Sequence, residues 1–588
     1  NYIQYDNAGN ISSIYPYTME KIDGRVYEYY NAKVLKSEIE YKAGAISSPY
    51  KSYFANGTLK EETTYVNNNP AKAIINLANG KKSYETLYDK EGYVATNNYY
   101  NGNDAPYFQE TLKRGEIKSA LQFELGKPKP TEVPVSKGTY VMKSLEGSVL
   151  TKGYYEKGIK KGEWNYFYTT GALNTQESYE NGTRTGLART FNPDTRPSSV
   201  FNYVNDTISG VYESFENGRL ANVYHYKNGE LNGLHKSFYP DGSILSENFY
   251  SDGTLYKSFN YWQNGTINLM TRYINNTPVK MESYSTEGKK LNEVDYTNKN
   301  GKMTTLYNNR IEIHEYTLTN GLFEGKYLVK DKNGKTRSES SFTNGIRNGK
   351  SAVYGPTGGL QVERNYYAGK PDGISKYYDI AGNLRMSDNY ILGNNTGLLT
   401  RYFHNKGKFL EYNQLDGDIE GEAKYYNQKG DNILILGYQN NALVYYIKLD
   451  KDGKLTEKTP IAAQTAKIIS SYPNGKTAIE INFVKGNIDG KLVVNNQEGK
   501  PEFEANYDMD LLSGPRIEYY PNGKIYKKEN FKNSYFEGVQ EFFKEDGKPL
   551  LTAEYKNDEL HGLCKIYTNG VVSQTQRYDS DELIEITK

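Results

Sequence analysis

The sequence holds one cysteine, Cys564, in 588 residues. That excludes an internal disulfide and any thiolate cluster for zinc or iron–sulfur chemistry. Tryptophan is confined to Trp164 and Trp262. The five histidines are His225, His235, His314, His404 and His561, and no two stand at the i, i+4 spacing of a helical zinc site. No apolar run approaches the roughly 18–20 residues that a membrane-spanning helix needs. Neither sign of charge dominates: 72 Lys and Arg face 71 Asp and Glu, for a net +1. A basic field directed at nucleic acid or anionic lipid is therefore not expected. Aliphatic mass is scarce as well. Apolar residues make up 37%, and 59 positions are Tyr. Without Tyr the apolar share is roughly a quarter, well below the globular norm. Several thick, dry cores cannot be built from that.

Tyrosine and glycine are what the chain has instead. A Tyr ring can pack on a sheet and keep its hydroxyl in water. The 55 Gly recur with a period. Gly138, Gly162, Gly186 and Gly210 are spaced by 24 residues, as are Gly325, Gly349, Gly373, Gly397 and Gly421, and Gly490, Gly514, Gly538 and Gly562. Over these ten intervals an aromatic falls 17 residues after the opening glycine nine times, for example at Tyr155, Tyr366 and Phe531. A second glycine falls nine residues in eight times, and an aromatic five residues in seven times, as at Phe167, Tyr378 and Tyr519.

Each unit reads as two strands and two turns. In residues 514–537, Pro515–Tyr520 forms a short aromatic strand, Pro521-Asn522-Gly523 a turn, and Lys524–Phe531 the return strand. Gly and Asn punctuation at this density leaves no room for a stable helix. The fold class that follows is all-β: an elongated, twisted antiparallel sheet of tandem ~24-residue β-hairpin repeats. At ~4.8 Å per strand, such a ribbon laid straight would run on the order of 200 Å, and strand twist would coil it.

The phrases YENGTRTG (179–186), YKNGELNGLHKSFYPDG (226–242), YYPNG (519–523) and YKNDELHGLCKIYTNG (555–570) resemble MORN-variant repeats, some of which carry an antitoxin-like label in bacteria. The resemblance is clear over about 138–266, 325–440 and 466–578, and loose over 1–126 and 267–322. It implies an elongated β-sheet used for protein contacts, with no catalytic residues. A rival resemblance is carried by Tyr5-Asp6-Asn7-Ala8-Gly9-Asn10-Ile11 and Tyr378-Asp379-Ile380-Ala381-Gly382-Asn383-Leu384, which are similar to the YD repeats of toxin shells. Most units lack the Tyr-Asp pair, so the MORN-like reading is preferred.

The periodicity divides the chain. Residues 1–126 form an irregular β-repeat region, and 127–137 is a linker with Pro128, Pro130 and Pro134. Strict repeats fill 138–266, an irregular β insert 267–322, and repeats again 323–442. An interruption at 443–465 precedes the last repeats, 466–588. Because departures from a repeat need a reason, 267–322 is the first place to look for a binding site.

No common chemistry survives inspection. His561 and Cys564 would give a metal two ligands, too few for a site. Asp450-Lys-Asp452-Gly453 begins like a calcium loop but lacks the later acidic ligands, and reads better as a hairpin turn. The glycines lie between strands, whereas a phosphate loop must lead into a helix. No catalytic residue, cofactor or metal is expected, and the protein is read as no enzyme. Alternation of side chains along a strand puts residues four and six after the glycine on one face, opposite the fifth. Tyr166, Tyr168, Tyr239, Tyr377, Tyr425, Tyr520 and Phe542, with Trp262, are the candidate partner-binding residues, if exposed as a ladder; packing on cross-strand neighbours is the alternative. The expected role is a scaffold for other proteins in a bacterial envelope complex. A glycan-binding surface module and a shell or immunity component linked to a toxin are the alternatives. The start at Asn1, the Tyr/Asn/Thr-rich make-up and the single Cys suggest an extracytoplasmic place, periplasm or cell surface, with membrane association through a partner or a removed N-terminal signal.

Overall fold

The structure, a computed structural model, describes residues 1–5, 11–31, 34–100, 105–145, 147–297, 299–307, 312–331, 333–439 and 441–587. The fold is all-β. Short antiparallel strands alternate with tight turns, and the described residues include no α-helix, only a 3₁₀ turn at Ala462–Gln464. The strands form four long meanders of 13, 16, 17 and 14 strands, beside a two-stranded piece, Tyr17–Thr18 with Lys21–Ile22. The first sheet runs from Tyr2 to Val133, the second from Lys137 to Asp295, the third from Gly301 to Pro460 and the fourth from Ala466 to Thr587. Of the YD-like phrase at 5–11, residues 6–10 lie outside the described residues.

The 24-residue unit has a fixed anatomy. In the unit opened by Gly514, strand Gly514–Tyr519 pairs with Ile525–Lys532, and Gly514 stands opposite Phe531. The aromatic 17 residues after the glycine is therefore its cross-strand partner. A bulge between Glu518 and Tyr519 ends the first strand. Asn533 and Ser534 then make the next turn with φ of 51° and 66°, the left-handed conformation that Asn tolerates and two-residue hairpins need.

Side chains bind each repeat to the next along both edges of the ribbon. The Tyr six residues after the position that opens the unit (Gly162, Ala466 or Gly514) donates its hydroxyl to a backbone carbonyl of the following unit: Tyr168 to Phe191 (2.8 Å), Tyr472 to Asn495 (2.8 Å) and Tyr520 to Phe543 (2.9 Å). Turn Asn residues repeat the device, as with Asn474 Nδ2 on Gln497 O and Asn522 Nδ2 on Glu545 O. On the opposite edge Asp510 and Asp558 accept the N–H of Ile488 and Phe536, 22 residues earlier. These bonds satisfy turn groups that a flat meander would leave to water.

The ribbon closes on itself in two ways. Between the third and fourth sheets the chain folds back: Gln428 bonds Glu502, His404 bonds Glu518 and Arg385 bonds Glu529, at separations of 74, 114 and 144 residues. The largest apolar cluster lies between these two faces and includes Phe409, Tyr425, Leu434, Ile479, Phe483 and Phe503, with the Phe409 and Phe503 rings 4.6 Å apart. The second way is edge to edge. Turns and strand ends of the second sheet touch those of the fourth through Arg196–Asp508, Asn217–Asn533 and Asn268–Glu582, at separations of 312, 316 and 314 residues. That near-constant offset is close to thirteen 24-residue repeats. The chain exposes 28820 Å². A compact monomer of 66.9 kDa would expose about 21,000 Å². The molecule is thus a folded, coiled sheet one or two layers thick, as its small aliphatic content requires.

Candidate functional site

Coiling gives the ribbon an inner and an outer face. Residues two and four after the glycine point inward. Trp164, Ala188, Ser375, Leu399, Ala423, Leu492, Gln540 and Cys564 all hold the second position, and all are buried. Residues at the first position point outward: Leu187, Val211, Ile374, Leu398 and Val539 are exposed, Ile374 at 57% beside Ser375 at 0%. Lys326, Lys350 and Lys491 occupy the same outer column. The last two pair with Glu363 (2.9 Å) and Glu504 (3.0 Å) across the strand.

The eight candidate residues belong to the other face, and the exposed ladder expected of them is absent. Tyr239, Trp262, Tyr425 and Phe542 are buried. Tyr166, Tyr168, Tyr377 and Tyr520 are half-buried, with their hydroxyls engaged. Tyr166 meets Lys160 Nζ (3.1 Å), Tyr377 meets the Tyr390 hydroxyl (3.1 Å), and Tyr168 and Tyr520 make the carbonyl bonds already described. Trp262 Nε1 donates to Tyr284 O at 3.1 Å, and Tyr239 to Tyr261 O at 3.3 Å. Alternation had grouped these residues on one face. It did not contain the coiling that turns that face inward.

The fifth-position tyrosines are the outer counterpart. Several reach a Glu 15 residues earlier: Tyr53 to Glu38 (2.7 Å), Tyr354 to Glu339 (3.4 Å) and Tyr519 to Glu504 (3.2 Å), while Tyr402 meets the Ser387 hydroxyl at the same spacing (3.2 Å). Partial burial and the neighbouring carboxylates push Tyr53 and Tyr519 up to about 12. These phenols stay protonated donors at any physiological pH. A Glu–Tyr spacing of 15 is visible in the sequence and could have disclosed this ladder.

The main concentration of buried charge lies where the third and fourth sheets face each other. Glu529 accepts from Arg385 Nη1 and from Arg516 Nη2, both at 2.8 Å. Lys527 Nζ lies 3.5 Å from Glu529 and 3.4 Å from Glu518. Glu518 also takes the His404 Nδ1–H (2.8 Å) and the His404 backbone N–H (2.6 Å). Tyr526 donates to Asp379 (2.6 Å) and accepts from Asn383 Nδ2 (2.7 Å). Burial alone would raise Glu529; the charges of Arg385, Arg516 and Lys527 outweigh it and hold the carboxyl far below its usual range. Glu518 is likewise lowered: burial opposes, and Lys527 and the two His404 bonds prevail. Burial drives Lys527 down, with Arg385 adding to the effect. Asp379 and Asn383 come from the YD-like phrase at 378–384, which here forms a turn seated on the opposite layer. The arrangement is an interlayer clamp with its charges matched, and it leaves no carboxylate poised to act alone.

Other residues considered for chemistry have structural partners. His225 Nδ1 lies 2.6 Å from Leu234 O, His235 stacks on Tyr224 and His561 Nδ1 lies 3.2 Å from Asp579 Oδ1. Burial pushes the Cys564 thiol up to about 12, so it is no thiolate nucleophile. Asp450 Oδ1 accepts the N–H of Asp452 and Lys454 at 2.8 Å each, which makes 450–454 a hairpin turn. Among the described residues no three His, Cys, Asp or Glu are grouped so as to hold a metal, and no helix is long and apolar enough to cross a membrane.

Comparison with known proteins adds one match of family type, covering residues 22–43, 49–67, 231–252, 512–533 and 536–557. Those five segments match the MORN repeat variant family. Two of them lie in 1–126, where the MORN-like phrases are loosest. Ser48 stands there in place of the glycine expected 24 residues after Gly24, so a search on glycine spacing passes over the repeat. Tyr30 nevertheless donates to Tyr53 O at 2.9 Å, the same inter-repeat bond as in the strict units. No curated protein matches the chain. Solved structures similar in part include TarM of S. aureus, at 18% identity over 18% of this chain and 20% of that one, with a TM-score of 0.14. TcdB2-TccC3 without its hypervariable C-terminal region gives 12% identity over 96% of this chain and 31% of that one, TM-score 0.19. The Photorhabdus luminescens Tc holotoxin pore gives 10% over 97% and 36%, TM-score 0.13. The chain thus spans well under two thirds of the length of each.

Proposed function

We propose that the protein is a non-catalytic repeat scaffold that docks partner proteins on the outer face of its coiled sheet, in a bacterial envelope or cell-surface assembly. The observation that carries this reading is the outer column of Leu187, Val211, Ile374, Leu398 and Val539. Apolar side chains recur there at the repeat period in two neighbouring pairs, Leu187 with Val211 and Ile374 with Leu398, and again at Val539, each 42–57% exposed. Single exposed apolar residues are ordinary on proteins; a register-locked column is not. The paired lysines between them supply the polar surround usual at interfaces. MORN-variant segments support the same reading, since such repeats imply an extended contact surface.

The test is mild-detergent purification of the tagged protein from its own cells, beside the double variant Ile374→Asp, Leu398→Asp. Both sites are solvent-facing, so stability should move by no more than about 0.5 kcal/mol each. A stoichiometric partner recovered with the parent chain and lost with the variant supports docking there. Equal recovery by a folded variant would rule out this face. Cell fractionation by the same tag tests the envelope location.

A further inference from the structure

A cleft of about 590 Å³ opens where the end of the second sheet, the start of the third and the last strand of the fourth converge. It draws much of its lining from 267–322, the stretch that departs from the repeat. One side is aromatic: Tyr273, Tyr296, Phe323, Tyr327 and Phe342. The Phe323 ring centre lies 5.3 Å from Tyr327, 5.4 Å from Phe342 and 5.9 Å from Tyr296, so these four rings pack as one cluster, and Tyr273 lines the same cleft.

Polar groups line the rest. The Ser283 hydroxyl has no hydrogen-bond partner among the described residues, although Ser283 is only 4% exposed. Burying a hydroxyl without a partner costs stability, and Ser283 lines the cleft, where an occupant would offer that partner. Asn268 Nδ2 holds Glu582 Oε1 at 3.4 Å. Arg347 stacks over Tyr366 at 4.9 Å. Among the described residues these are the cleft's single carboxylate and single guanidinium, and their charges cancel.

We propose that this cleft binds a neutral mono- or disaccharide. A pyranose has an apolar C–H face suited to the aromatic wall and hydroxyl edges suited to Ser283 and the Asn268–Glu582 pair. The volume falls in the range of small-ligand sites, roughly 300–1,000 Å³. Balanced charge disfavours anionic and cationic ligands alike. The site is separate from the outer face proposed to dock proteins, and an occupant would brace three sheets at once.

The test is saturation-transfer NMR and calorimetric titration of the full chain with cellobiose, maltose and N,N′-diacetylchitobiose. A hydrophobic dye serves as the apolar alternative. The proposal expects saturation transfer to the ring C–H protons of at least one sugar. Tyr273→Ala should weaken that binding by about tenfold, and Ser283→Ala by about fivefold to tenfold, the scale of a lost stacked ring or hydrogen bond. Because Ser283→Ala removes an unsatisfied hydroxyl, the unliganded variant should melt no lower than the parent. No transfer to any of the three sugars, dye binding alone, or sugar binding that survives both substitutions would overturn it.

Discussion

Arg385 and Glu529 meet at 2.8 Å across two layers of the same ribbon, 144 residues apart in the chain, with Arg516 on the second oxygen of the same carboxylate. One buried carboxylate thus bridges two guanidiniums from facing sheets. Glu529→Ala would leave Arg385 and Arg516 buried without the carboxylate they share, and Lys527 with Glu518 alone. The expected loss is about 3–5 kcal/mol, as for other broken buried ion pairs. Denaturant unfolding checks it, and an unchanged midpoint would show that the layers do not depend on this clamp.

The same network sets an acid limit. Glu518 and Glu529 have folded-state pKa values below their unfolded values. Their stabilisation is fully present above the unfolded Glu value of about 4.3 and is lost as pH falls through the lower folded values. Melting temperature should therefore be insensitive to these groups from pH 6 to 8 and should drop below about pH 4. Glu529→Gln should start from a lower plateau and show a shallower acid limb in a pH series of thermal melts. A parallel, equally steep limb would contradict the assignment.

Inter-repeat bonding predicts small, regular effects. Tyr520→Phe keeps the ring and removes only the hydroxyl bond to Phe543 O. The cost should be about 1 kcal/mol. Tyr168→Phe should match it, because that unit bonds its neighbour in the same way, whereas Tyr472→Phe should cost more, since this hydroxyl also accepts from Asn427 Nδ2 at 3.1 Å. Thermal unfolding of the three variants measures this, and widely unequal losses for Tyr520→Phe and Tyr168→Phe would show that the units are not equivalent.

Gly153 lies against the indole of Trp164, where an added Cβ would come within 2.2 Å of the ring. Trp164 is buried in the cluster that joins the first two sheets. Gly153→Ala must displace it, at a cost of about 1–3 kcal/mol for overpacking. The same substitution at Gly523, whose Cβ would meet nothing within 4 Å, reports backbone strain alone. Comparing the two melts, together with Trp fluorescence for the first, separates packing from strain.

Much of the fold was legible in the chain. Glycine spacing marked the hairpins over the strict blocks, and the strand predicted at 515–520 is observed at Gly514–Tyr519. Alternation grouped Tyr166, Tyr425 and Phe542 on one face correctly. Which face turns inward was not legible, because it depends on the fold-back and on an edge contact some thirteen repeats away. Arg385, Glu518 and Glu529 look like ordinary strand charges until the layers meet. Strand twist is a small rotation per step, and no single unit records its sum. The repeats at 22–43 and 49–67 were hidden for a simpler reason, the Ser48 substitution at the marker position.

Small-angle X-ray scattering on the purified full-length chain tests the closed ribbon most directly. Fold-back of the fourth sheet and its edge contact with the second predict a radius of gyration within about 10 Å of the compact limit, roughly 25 Å at this length. A value near 60 Å, roughly that of a straight ribbon about 200 Å long, would contradict the closure and with it the division into inner and outer faces.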